Sequence, residues 1–438
     1  MAFNPLTEKG IPIERQFRSC SELASQPYDT RDVHPYTRCR VILMNGIEVE
    51  AIINSHNAAR RIADTGIKQM LALVRKAEQQ QQKAVNWLIP GSESTIANTI
   101  GYEQVAVDLT SWIARHEPDP YLNQVYEFGV LEDYDHLYRY ANLMDLMGER
   151  RKAEEITGDL TEVLPGRPTI FHHRHPHDEL RRPMTVEASS FQSILNALTV
   201  VSAEQQTMNF YMNSGNRPED PMARSLYLEI AMVEEQHVSH YESILDPSTP
   251  ELLNLALHEY NECWLYWSCM ETETNPRIKQ VWETHLAMEI EHLRLACEMM
   301  KEVDRIDPAD IFPKEGVSAP MTFEPNKQYV RDVLARTVTN SASDSQFVPV
   351  DQLPADHRFF DYQATVNAGG VPSEDVIRRH REELGGEYRF STEGSHPIAA
   401  LDESGTAEGT TYMETIERHA RHGHGQDQSH GQHQRENT

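Results

Sequence analysis

The chain has 438 residues, 39% of them hydrophobic, and a formal net charge of −28. That length exceeds one average domain and is enough to bury a large core. The acidic excess argues against nucleic acid, whose phosphates need Lys and Arg, and against anionic membrane surfaces. Five scattered cysteines (Cys20, Cys39, Cys263, Cys269 and Cys297) favour a reducing compartment over a disulfide framework. With no apolar leader in 1–20 and no uncharged run near the roughly 18 residues of a membrane span, a cytoplasmic location is expected, with no membrane partner.

In chain order, residues 1–55 read as an N-terminal arm broken by Pro5, Pro12, Pro27 and Pro35, with a hairpin expected around Asn45-Gly46. From 56 onward the pattern turns helical, with helices predicted over 56–89, 94–115, 120–147, 187–213, 221–245, 250–272 and 276–304. Four starts share one style, a capping residue followed by proline: Asp119-Pro120, Asp220-Pro221, Thr249-Pro250 and Asn275-Pro276. The cap oxygen accepts from free backbone N–H groups, and proline suits a first position whose N–H would be unpaired anyway. Short connections make neighbouring helices antiparallel, so the fold class is all-α, an antiparallel helical bundle. The regions divide into the arm, an N-terminal helical region (56–147), a long connection (148–186), a four-helix region (187–304), an extension (305–395) with a short helix over 329–338, and a tail (396–438). The tail is rich in Gly, His and Gln and is expected to be disordered. His172, His173, His175 and His177 in the long connection read as a solvated loop, the alternative being a further metal site or a substrate entrance.

The most informative residues lie between 187 and 304. Glu234-x-x-His237 and Glu289-x-x-His292 each place a carboxylate and an imidazole on one helix face. Each pair also follows a lone carboxylate at the same interval, Glu234 after Glu204 and Glu289 after Glu259. In a helical hairpin that spacing brings both residues to a similar height. Each sits on an apolar stripe, where a carboxylate is costly unless paired or metal-bound. Tyr260, Trp264, Tyr266 and Trp267 crowd one helix beside these residues and read as core.

This pattern resembles the ferritin-like superfamily of di-iron and di-manganese carboxylate proteins, which place one Glu on each of two helices and Glu-x-x-His on the other two. The resemblance covers about a quarter of the chain. It implies a ferritin-like bundle with additional N-terminal helices, and metal ligands Glu204, Glu234, His237, Glu259, Glu289 and His292, with Glu262 as a seventh. By the same likeness Glu234 and Glu289 would bridge two ions: iron, manganese or a mixed pair.

An alternative assignment competes. Residues 126–145 align with 227–246 without a gap, setting Asp133 on Glu234 and His136 on His237, and Glu103 precedes Asp133 by the interval that separates Glu204 from Glu234. The set would then be Glu103, Asp133, His136, Glu204, Glu234 and His237, with 148–186 as crossover. Ala77-Glu-Gln-Gln, around Glu78, echoes Ala203-Glu-Gln-Gln. Duplicated hairpins are therefore expected, and the C-terminal set, with two intact Glu-x-x-His pairs, is preferred. The resemblance implies an oxidase or oxygenase acting with O2 or peroxide on a small organic substrate. A ferroxidase or iron-handling protein and a metal-free helical scaffold are the alternatives, and assembly into a homo-oligomer is left open. No residue is assigned a catalytic role.

Overall fold

A helix of 27 residues, α2 (Pro35–Arg61), follows the short α1 (Cys20–Leu23) in the computed structural model, which describes residues 2–167, 172–385 and 398. Helix α2 overturns the expected hairpin at Asn45-Gly46. A Cβ at Gly46 would stand 2.9 Å from Gln206 Cβ, so this glycine admits a neighbouring helix rather than a turn. Asn45 Oδ1 accepts from Gln82 Nε2 at 2.8 Å. The run 36–48 is buried throughout, because α2 is covered on all sides. That explains why it lacks an amphipathic period.

Seven further helices follow: α3 (Thr65–Asn86), α4 (Thr95–His116), α5 (Pro120–Leu146), the short α6 (Ala153–Thr157), α7 (Phe191–Ser214), α8 (Pro221–Glu242) and α9 (Glu251–Thr272). Then come α10 (Pro276–Val303), α11 (Pro308–Ile311), α12 (Lys327–Thr337), α13 (Arg358–Val366) and α14 (Pro372–Leu384). The predicted helix over 56–89 is thus the end of α2 plus α3. Asp119, Asp220 and Asn275 cap their helices through side-chain oxygens as expected. Thr249 does not: α9 begins one residue later, with Pro250 itself at the cap position.

Four antiparallel hairpins, α2/α3, α4/α5, α7/α8 and α9/α10, form the body. The middle two associate with each other, and the first associates with the last. The leading helices α2, α4, α7 and α9 meet at the centre, while α3, α5, α8 and α10 lie outside. A single core cluster runs through both bundles. The extension packs α12 and α14 on α5, and α14 also on α8. A two-stranded antiparallel sheet, β1 (Asn340–Ser343) with β2 (Gln346–Pro349), sits between α12 and α13 in the chain. This cover explains why α5 is buried on every side over 125–144. Of the tail only Ile398 is described, and it is buried against Val330, Val333 and neighbours; the tail histidines lie outside the described residues. The described cysteines are unbonded, and only Cys20 is exposed. Among the described residues no helix is long and apolar enough to cross a membrane.

Candidate metal centres

The bundle of α4, α5, α7 and α8 brings together Glu103, Asp133, His136, Glu204, Glu234 and His237, none more than 1% exposed. Their ligand-type atoms fall into two groups, each within 4.8 Å: Asp133, Glu204, Glu234 and His237, and Glu103, His136 and Glu234. Glu234 belongs to both. Its Oε1 lies 2.9 Å from His136 Nδ1, and its Oε2 lies 3.3 Å from His237 Nδ1. His237 Nδ1 is also 3.3 Å from Asp133 Oδ1 and 3.6 Å from Glu204 Oε2.

Both oxygens of Asp133 lack a hydrogen-bond partner, as do Glu103 Oε2, Glu204 Oε2, Glu234 Oε2, His136 Nε2 and His237 Nδ1. Buried polar atoms are costly when left unpaired, and four buried carboxylates repel one another. Burial and the Glu204 carboxylate push Asp133 well above the usual carboxylate range. Burial likewise raises Glu103, aided by Glu234, and lifts Glu204 to about 7 against the pull of His237. At Glu234 the contacts from His136 and His237 outweigh burial and hold it at about 2. A cluster that can carry four negative charges with unspent lone pairs fits a pair of divalent cations.

The long connection supports this cluster. Glu132 Oε2 takes His237 Nε2 at 2.9 Å, which leaves Nδ1 facing the carboxylates. Arg174 grips Glu132 with both terminal nitrogens, and Arg167 Nη1 stands 3.8 Å away. These two cations outweigh burial and hold Glu132 well below its ordinary value. A carboxylate behind a histidine fixes ring orientation and raises ligand basicity, the usual support of a metal-binding imidazole. The expected solvated loop is therefore corrected at its first two histidines. His172 Nε2 lies 2.7 Å from Asp135 Oδ2, and His173 Nε2 lies 3.5 Å from Glu229 Oε1, all buried. Burial lowers His172 to about 4. Of the four histidines only His177 is exposed, and His175 is half-buried.

A second cluster occupies the bundle of α2, α3, α9 and α10. Glu78, Glu259 and His292 form one group within 4.8 Å, and Glu48, Glu262 and Glu289 form another. His292 Nδ1, 3.0 Å from Glu289 Oε2, links the two. Gln81 donates to Glu289. Tyr266, two turns after Glu259, donates to Glu48, just as Tyr211, two turns after Glu204, donates to Glu103. The N-terminal arm supplies the outer support here, with Gln16 Oε1 at 2.7 Å from His292 Nε2.

The preferred C-terminal set is thus divided. Glu204, Glu234 and His237 join Glu103, Asp133 and His136, which is the alternative set, whereas Glu259, Glu262, Glu289 and His292 join Glu48 and Glu78. The reason is the nested pairing of hairpins: α7/α8 turn their carboxylates toward α4/α5, and α9/α10 turn theirs toward α2/α3. Sequence reasoning missed Glu48. The signal was present, because Glu48 precedes Glu78 by the same interval that recurs in the other hairpins, but the stretch around it reads as a hairpin turn. Tyr260, Trp264, Tyr266 and Trp267 are core, as expected, with Tyr266 also bonded into the second cluster. Comparisons with known protein families, curated proteins and solved structures found no match for the chain.

Proposed function

We propose that this chain is a ferritin-like dinuclear-metal oxidoreductase whose working centre is held by Glu103, Asp133, His136, Glu204, Glu234 and His237. The observation that carries this reading is the position of Glu234, shared by two ligand groups that each contain a histidine. When bound, a pair of iron or manganese ions supplies one-electron chemistry with O2 or peroxide, directed at a small organic substrate.

The chain's own residues do the rest. Glu234, common to both groups of ligand-type atoms, would hold the ions together with Glu103 and His136 in one group and Asp133, Glu204 and His237 in the other. Glu132, clamped by Arg174, keeps His237 oriented with Nδ1 inward. Tyr211 steadies Glu103. Tyr140 and Tyr227 pack against Tyr211, and Tyr241 stands beside His237, all at most 1% exposed.

Elemental analysis of full-length protein expressed with iron and manganese supplied tests the reading. The wild type is expected to hold metal, and Glu234→Ala/His237→Ala to lose about two ions per chain. Equal, near-zero metal in both would refute the proposal. Oxygen uptake by the reduced, loaded protein with candidate substrates then separates an oxygenase, in which uptake depends on the organic substrate, from a ferroxidase, in which it tracks added iron.

A further inference from the structure

We infer that the α2/α3/α9/α10 cluster is a second dinuclear metal centre, chemically distinct from the first and selective for a harder ion, manganese over iron. This goes beyond the proposed function, which requires only the first centre.

The cluster is more than a group of acids. Glu78 is fully buried, and neither of its oxygens has a hydrogen-bond partner. Glu48 Oε2, Glu259 Oε2 and Glu262 Oε2 are likewise unpartnered and buried, beside the imidazole of His292. The architecture repeats that of the first centre. Two leading helices carry lone carboxylates (Glu48, Glu259), and their following helices carry carboxylates at the recurring interval (Glu78, Glu289). Glu289 takes the place Glu234 has in the first bundle, touching His292 on one side and grouped with Glu48 and Glu262 on the other.

The departures from the first centre set its preference. Where the other three hairpins carry His136, His237 and His292, the first carries Gln81. Its amide N–H donates to Glu289, so this position supplies no imidazole nitrogen to an ion. Glu262 then adds a carboxylate that the first centre lacks. The first centre therefore offers four carboxylates and two imidazoles, whereas the second offers five carboxylates and one imidazole. Two divalent ions neutralise four of those five negative charges, and the fifth carboxylate makes the donor set richer in hard oxygen atoms. Imidazole ligands raise the affinity of iron relative to manganese, and carboxylate and carbonyl oxygens suit manganese. Removing one imidazole and adding one carboxylate moves the balance toward manganese.

Metal-free full-length protein is loaded anaerobically with equimolar Fe(II) and Mn(II), desalted, and read by elemental analysis and Mn(II) EPR. Wild type is expected to hold close to four ions. Glu78→Ala/Glu289→Ala should lose about two, with the retained Mn:Fe ratio falling about fivefold or more. Glu234→Ala/His237→Ala should lose two while keeping the manganese. Gln81→His restores the imidazole with little change in volume and is expected to lower the Mn:Fe ratio without lowering total metal. Full metal retention by Glu78→Ala/Glu289→Ala overturns the second centre while leaving the first intact, and loss confined to Glu234→Ala/His237→Ala does the same. An unchanged Mn:Fe ratio in Gln81→His overturns the selectivity even if the double variant does not fold.

Discussion

Asp108 on α4 lies outside both clusters and is 1% exposed. It accepts from Thr161 Oγ1 at 2.6 Å through Oδ2, while Oδ1 has no partner. Burial is the largest influence and raises it to about 7, against roughly 3.9 in an unfolded chain. Between those values the folded protein holds a proton that the unfolded chain has lost. This group's contribution to stability therefore falls as pH rises from about 4 to about 7 and is level above. Asp108→Asn keeps an acceptor for Thr161 and removes the charge. It is expected to stabilise metal-free protein at pH 8 by on the order of 2–4 kcal/mol and to be near neutral at pH 4, measured by urea unfolding against wild type. A variant no more stable at pH 8 than at pH 4, relative to wild type, would rule this out. At the same scale, the ligand-type residues were legible where a Glu-x-x-His pair sat on an apolar stripe. What could not be read was which units share a site. All four hairpins space their carboxylates identically, so any two are geometrically interchangeable until packing chooses between them. Arg174 and Gln16 were illegible for a related reason: their contacts to Glu132 and His292 join segments 42 and 276 residues apart, and no local pattern marks them.

Local chemistry announced most helices. An Asp or Asn cap followed by proline marked α5, α8 and α10, because cap and proline act within one turn. The same logic failed at α2, which buries polar and apolar residues alike on all sides over 36–48 and so shows no period, and whose cap is His34, accepting from Tyr36 N at 3.2 Å. Helix contacts are tightest where glycine allows them. A Cβ at Gly129 on α5 would overlap Tyr241 Oη and stand 3.0 Å from its Cζ, and Tyr241 on α8 is fully buried. Gly129→Ala is expected to lower stability by about 1–3 kcal/mol through overpacking. In a Tyr241→Phe background, which removes the overlapping oxygen, the same substitution should cost roughly 1 kcal/mol less. Thermal unfolding of the four proteins closes this cycle, and strict additivity would mean that the two helices do not meet at this point.

The nested order of hairpins makes the two bundles one body. Helices α2, α4, α7 and α9 are shared walls: Gly101 on α4 admits Arg38 and Ile42 from α2, with a Cβ there 2.9 Å from both side chains. Thr199 on α7 donates to Asn261 on α9 at 3.0 Å. Trp112 of the first bundle lies 6.0 Å from Trp264 of the second, ring centre to ring centre. Neither bundle can unfold without stripping cover from the other, so unfolding should be a single transition. Urea denaturation followed by far-UV circular dichroism and by tryptophan fluorescence is expected to give coincident midpoints. Metal binding at either proposed centre would stabilise only the folded state, by about 2.7 kcal/mol for one site at a hundredfold excess over its dissociation constant. Abolishing the second centre with Glu78→Ala/Glu289→Ala should therefore shift the entire transition of the metal-loaded protein, including the part reported by Trp112 when the other tryptophans are replaced by phenylalanine. Two separated transitions, with Trp112 blind to that substitution, would show instead that each bundle folds on its own. The shared central helices argue against that outcome, because each of the four packs on at least two of the others.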